Sequence, residues 1–185
     1  MEYQHYLTLL RGINVGGNNI IKMAALKACF EGMGFKEVAT YIQSGNVLFA
    51  TAEKNAGKLT EKIEKALSKQ FNYKSRVVVV MHDQLKEAVK GAPKGFGSDS
   101  IKYRYDVIFL KEPFTAREAI KQVTITEGVD RAYAGKDVLY FSRLTSRAAQ
   151  SNLPRIVQKP VYQSMTIRNW NTTTKLLALM DTGAQ

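Results

Sequence analysis

The sequence predicts an α+β fold built from two similar halves, and three observations carry that expectation. Short apolar runs alternate with apolar stripes at helical spacing. Their order, strand-helix-strand-strand-helix-strand, occurs once before residue 91 and again after residue 102. Between the two lies GAPKGFGSDS, Gly91 to Ser100, whose glycine, proline and serine content marks a linker.

Each element follows from its residues. Tyr3 to Leu10 reads as a strand, with His5, Leu7 and Leu9 on one side and Tyr6, Thr8 and Leu10 on the other. Met23, Leu26, Phe30 and Met33 recur at helical spacing, and Gly34 is placed to end that helix. Val38 to Gln43 and Asn46 to Ala50 are strand-like, joined by Ser44-Gly45, which reads as a two-residue hairpin turn. Leu59, Ile63, Leu67 and Phe71 form a second helical stripe with lysines and glutamates on its solvent side. Arg76 to Met81, with four consecutive valines, reads as a buried strand, and Asp83 is expected to cap a short helix through Val89.

The second half restarts with a strand from Tyr103 to Leu110, and Thr115 opens a short helix to about Gln122. Asp130 to Ala134 and Asp137 to Ser142 form a hairpin around Gly135-Lys136. Thr145 to about Val157 is expected to be helical, interrupted near Pro154. Tyr162 to Arg168 is a strand, and Asn169 or Asn171 caps a last helix through Met180. The pattern is that of two tandem ferredoxin-like (split β-α-β) subdomains, each followed by an extra helix. The first would span residues 1–91, a linker 92–102, and the second 103–185.

The 185 residues carry a net charge of +11. The charge is no appended tail, because the chain up to Gly91 holds +5 and the remainder +6. No Asp or Glu occurs between Asp137 and Asp181, a window that holds Arg143, Arg147, Arg155, Lys159, Arg168 and Lys175. Such a surface attracts polyanions, or serves solubility alone. The single cysteine excludes an internal disulfide, and Cys29 shares the apolar side of a helix with Leu26, Phe30 and Met33, so it reads as a core thiol. No signal peptide is expected, and no run approaches the ~20 apolar residues of a membrane helix, so a cytoplasmic location is expected.

The stretch LLRGINVGGNN, Leu9 to Asn19, raises the question of function. It is no Walker loop, since Asn18 and Asn19 follow Gly17 where Lys and Ser or Thr are required. It is no dinucleotide fingerprint, since Asn14 stands where glycine is required. In a split β-α-β sheet the first two strands run the same way. The loop after the first strand then lies beside the hairpin after the second. Arg11, Asn14, Gln43, Ser44 and Asn46 would converge there with the amides of Gly12, Gly16 and Gly17, as an anion site would need. The same residue types also build plain turns. Arg168 and Asn169, at a strand-to-helix junction, offer a second anion-friendly corner, or else a helix cap beside a core Trp170.

Ordinary catalytic constellations are not visible. His5 and His82 fall in different elements and no metal-ligand spacing exists. Ser44 lacks a nucleophile elbow. Arg104 and Asp106 share a strand face and read as a surface ion pair. Strands apolar on both faces argue against a sheet-face RNA platform. No catalytic residue, metal or cofactor is assigned.

LLRGINVGGNNIIKM, YIQSGNVLF and TIRNWNTTTKL, in that order and spacing, resemble the bacterial family called domain of unknown function 1697 (DUF1697). The resemblance covers essentially the whole chain. It implies a compact cytoplasmic α+β protein with two ferredoxin-like parts, and it implies no activity. Its motif positions fall on Arg11, Gly12, Asn14, Gly16, Gly17, Gln43, Ser44, Gly45, Asn46, Arg168 and Asn169. The expected function is binding of a small anionic, phosphate-bearing ligand at the Arg11 corner. The alternatives are nucleic-acid binding through the basic second half, and an enzyme acting on a nucleotide or phosphorylated substrate. No membrane partner is expected, and the oligomeric state stays open.

Overall fold

Antiparallel pairing organises the chain into two four-stranded sheets with helices, an α+β fold. The computed structural model describes residues 2–183. Two compact units divide it: residues 1–85 together with 176–185, and residues 86–175.

In the first unit, β1 (Gln4–Leu10), α1 (Met23–Gly32), β2 (Lys36–Tyr41), β3 (Asn46–Thr51), α2 (Ala56–Phe71) and β4 (Val77–Met81) follow in order, and the sheet runs β2-β3-β1-β4. β1 and β2 both pair antiparallel with β3, so they run the same way. Alternation places Tyr6 and Leu10 in one core with Leu26 and Phe30 of α1 and Leu59, Ile63 and Leu67 of α2. Phe49 centres it, its ring 4.4 Å from Phe35, 5.6 Å from Phe30 and 5.7 Å from Tyr6. Cys29 belongs to this core and is a buried free thiol. On the other face Leu7, Leu9, Leu48, Val78 and Val80 are buried as well, so this sheet presents no aromatic platform.

Two local expectations are corrected. The hairpin connection is the four-residue loop 42–45, not a two-residue turn. Ile42 there adopts φ +51°, which a branched side chain rarely does. α3 (His82–Lys90) starts at His82, so Asp83 lies in its first turn and is not its cap. The His82 ring instead meets the Asp181 carboxylate at 2.7 Å.

The second unit holds β5 (Tyr103–Leu110), α4 (Ala116–Ala119), β6 (Asp130–Ala134), β7 (Val138–Leu144) and β8 (Met165–Asn169), with the sheet order β6-β7-β5-β8. Thr115 and Glu118 close a capping box on α4. Ile108, Leu139, Phe141, Leu153, Ile156 and Met165 lie in one core. The helix expected over 145–157 with a break near Pro154 is 3₁₀ and not α, and it breaks at Ser151-Asn152. Two 3₁₀ segments, Thr145–Gln150 and Leu153–Gln158, stand there, and a third, Pro160–Ser164, takes the start of the strand expected from Tyr162, which begins only at Met165. Pro154 and Pro160 lie in the first turns of two of them, where a missing N–H costs least. The buried Asp130 carboxylate fixes the path by accepting from the amides of Thr126 and Asn152, both at 2.9 Å.

α5 (Trp170–Asp181) is capped by Asn169, whose Oδ1 accepts from the Thr172 amide at 2.8 Å. The chain from Leu176 onward belongs to the first unit, where Leu176 and Met180 are buried. No helix among the described residues is long and apolar enough to cross a membrane.

Candidate functional site

The structure brings the loop after β1 to the 42–45 loop. The Leu10 amide donates to the Gly45 carbonyl at 2.8 Å. Asn14 Nδ2 donates to the carbonyls of Gln43 at 2.8 Å and Ile21 at 3.1 Å, while its Oδ1 accepts from the Ile21 amide at 2.8 Å. Asn46 is fully buried and donates to the Tyr41 carbonyl and the Ser44 hydroxyl. Asn19 Nδ2 donates to the Gly12 carbonyl. Asn14 thus ties the two loops together, while Asn46 and Asn19 each brace one of them. Arg11 is half-buried, Gln43 is exposed, and Gly12, Gly16 and Gly17 are exposed with φ of +69°, +58° and +79°.

Arg168 and Asn169 lie in the second unit. Arg168 is 8% exposed, and its Nη1 donates to the Thr166 hydroxyl and the Ile167 carbonyl. Burial brings its guanidinium down to about 10. Asn169 is spent on the α5 cap through Oδ1.

A different cluster stands out in that unit. β8 pairs with β5 only from Asp106 to Leu110, so Tyr103, Arg104 and Tyr105 run past its end. There the chain turns into α5, and a notch of about 380 Å³ opens. Arg104, Tyr105, Asp106, Arg143, Asn169 and Trp170 line it, with Gly97 and Ser100 from the glycine-rich segment. Gly97 is required there, because a Cβ would overlap the Trp170 indole and its φ is +84°. Trp170 is half-buried and lines the notch, which corrects the expectation of a core residue.

The charges of the notch do not balance. Arg104 and Arg143 face one carboxylate, Asp106. Asp106 is 8% exposed, and its Oδ2 lies 3.4 Å from Arg143 Nη2 without hydrogen-bond alignment. Arg143 Nε is likewise buried without a partner. Burial pushes the Asp106 carboxyl above its ordinary value, against the pull of Arg143 and Arg104. The expected surface pair of Arg104 and Asp106 is therefore corrected: Asp106 is buried and its near partner is Arg143, on the neighbouring strand. The sequence signal was present in the charged start of Tyr103–Leu110, where Arg104 and Asp106 share the phase of the core residues Ile108 and Leu110. Among the described residues, no group of three His, Cys, Asp or Glu is placed to hold a metal.

A family model described as "Protein of unknown function (DUF1697)" matches residues 3–140, and the chain belongs to that family. Among solved structures, the chain is similar to conserved bacterial protein SP0830 from Streptococcus pneumoniae, at 25% identity and a TM-score of 0.83. The match covers 97% of this chain and 99% of that one. No curated protein matches the chain.

Proposed function

We propose that this member of the DUF1697 family binds a small ligand bearing an anionic group, seated in the notch of the second unit. The observation that carries the assignment is the pair of guanidiniums, Arg104 and Arg143, lining a cavity with a single carboxylate. Guanidinium forks suit carboxylate and phosphate oxygens. A volume of about 380 Å³ is of the size that holds small ligands. The test is a thermal-shift panel of inorganic phosphate, carboxylates, sugar phosphates and nucleotides. A ligand at ~100 times its dissociation constant adds ~2.7 kcal/mol and raises the melting temperature. Arg104→Ala abolishes that rise if the site is correct; an undiminished rise overturns it. The strand order β2-β3-β1-β4 and its repeat in the second sheet also support reading each unit as ferredoxin-like.

Two other features favour further anion contacts. The exposed glycines beside Arg11 support an anion seat at the Arg11–Gly17 and Gln43–Asn46 corner. Arg11→Ala should then weaken ligand binding, and unchanged affinity refutes it. Charge is also uneven between the units: the second holds 16 basic and 8 acidic residues, a net +8, against 11 and 8, a net +3, in the first. That supports nucleic-acid binding by the second unit, with affinity falling steeply as salt rises; a flat salt response refutes it.

A further inference from the structure

We propose that the notch selects a zwitterion, an α-amino acid with a flat or apolar side chain. This rests on the assignment of the notch as a ligand site and names the chemistry it would take. Two of its residues each hold a buried polar atom with no hydrogen-bond partner: the acceptor Asp106 Oδ2 and the donor Arg143 Nε. Buried orphans are costly and call for a partner. A simple anion satisfies only the arginine and repels the carboxylate beside it. A simple amine satisfies only the carboxylate. The donor a ligand brings to Asp106 and the anion it brings to Arg143 must lie close together, because those side chains approach to 3.4 Å.

An α-amino acid meets that demand. Its ammonium nitrogen and carboxylate oxygens are roughly 3 Å apart, as bond lengths near 1.5 Å dictate. The ammonium would donate to Asp106 and the carboxylate would accept from Arg143 and Arg104. Tyr103, Tyr105 and Trp170 supply an aromatic wall for the side chain and a ring face for the cation. Each buried charge then faces an opposite one, Asp106 the ammonium and Arg143 the carboxylate, while the net charge of the notch stays at the single positive charge of the exposed Arg104.

Trp170 is the only tryptophan, so its fluorescence reports directly on the notch. The full chain is titrated with L-phenylalanine, with 3-phenylpropanoate, which lacks the ammonium, with phenethylamine, which lacks the carboxylate, and with inorganic phosphate. L-Phenylalanine should shift Trp170 emission saturably, and loss of either charged group should cost at least about tenfold in affinity. Asp106→Asn should weaken L-phenylalanine by a similar factor and strengthen 3-phenylpropanoate, whose carboxylate the Asp106 charge repels. Asp106 is buried, so Arg104→Met, at an exposed position, gives a readout independent of its folding: it should weaken both carboxylates and spare phenethylamine. If 3-phenylpropanoate binds as tightly as L-phenylalanine, the zwitterion proposal falls while the anionic-ligand assignment stands. If Arg104→Met leaves both carboxylates unaffected, the proposal also falls. Silence from every probe, phosphate included, overturns both.

Discussion

Asn14 and Gln43, 29 positions apart, are joined by a 2.8 Å hydrogen bond from the Asn14 amide to the Gln43 carbonyl. With its bonds to the carbonyl and amide of Ile21, this one side chain ties the loop after β1 both to itself and to the 42–45 loop. Asn14 also sits at φ +52°, where asparagine is among the few residues tolerated. Asn14→Ala should therefore cost roughly 2–4 kcal/mol, from three lost hydrogen bonds and the backbone conformation. Urea unfolding measures it; a loss below about 1 kcal/mol would show that the loops hold without this tie.

The two loops also approach too closely for a side chain at Gly45. A Cβ there would lie 2.7 Å from Ile13 Cδ1 and 2.8 Å from Leu10 Cβ, at φ +74°. Gly17 shares the positive φ, at +79°, but meets nothing within 4 Å. Gly17→Ala should cost about 1 kcal/mol from backbone strain alone, and Gly45→Ala roughly 2–4 kcal/mol from strain plus overpacking. Parallel thermal melts decide it, and equal losses would mean that Ile13 and Leu10 move aside.

Asp106 makes a pH prediction. Burial outweighs the two arginines, so its folded-state pKa lies above its ordinary 3.8. The folded chain then binds a proton more readily than the unfolded one across that interval. The contribution of this residue to stability is greatest below the unfolded value and falls as pH rises through the folded one. Asp106→Asn cannot ionise and lacks that slope. The stability of the natural chain minus that of the variant, from urea melts between about pH 3.5 and 6, should decrease with pH. An increase would show that Arg143 and Arg104 dominate.

Tyr140 donates from its hydroxyl to the Ala88 carbonyl at 2.7 Å in a buried setting, and burial pushes its phenol up to about 12. Tyr140→Phe would leave that carbonyl unsatisfied, at a cost of about 1–3 kcal/mol. Chemical denaturation of the Phe variant checks it; a neutral result would mean that water reaches Ala88.

Elements carried by periodic burial were legible in the residues, and those set by single backbone choices were not. Tyr6 and Leu10 alternate with Leu7 and Leu9, and Leu59, Ile63 and Leu67 recur along α2, because one buried face forces one period. The meeting of the Arg11 loop with the 42–45 loop was also legible, since it follows from strand direction alone. The extra loop residues were hidden, because nothing local marks Ile42 for a left-handed backbone. The helix expected over 145–157 came out as 3₁₀ turns broken at Ser151-Asn152, where Asp130, 22 positions before Asn152, takes the Asn152 amide. The notch was missed for the same reason: Asp106 and Arg143 meet across two strands, and strand pairing is not a local property.

The membership of Leu176–Asp181 in the first unit has a consequence for how this chain matures on the ribosome. Most of that unit is translated by Leu85, yet two of its buried residues, Leu176 and Met180, follow some 90 residues later. At ordinary elongation rates the wait is on the order of 10 s. A sheet with α1 and α2 can form in that time, but it must remain incomplete until synthesis nears the end of the segment. Translation order and folding order are therefore inverted: the second unit, made in the middle, is the one whose residues are all available first.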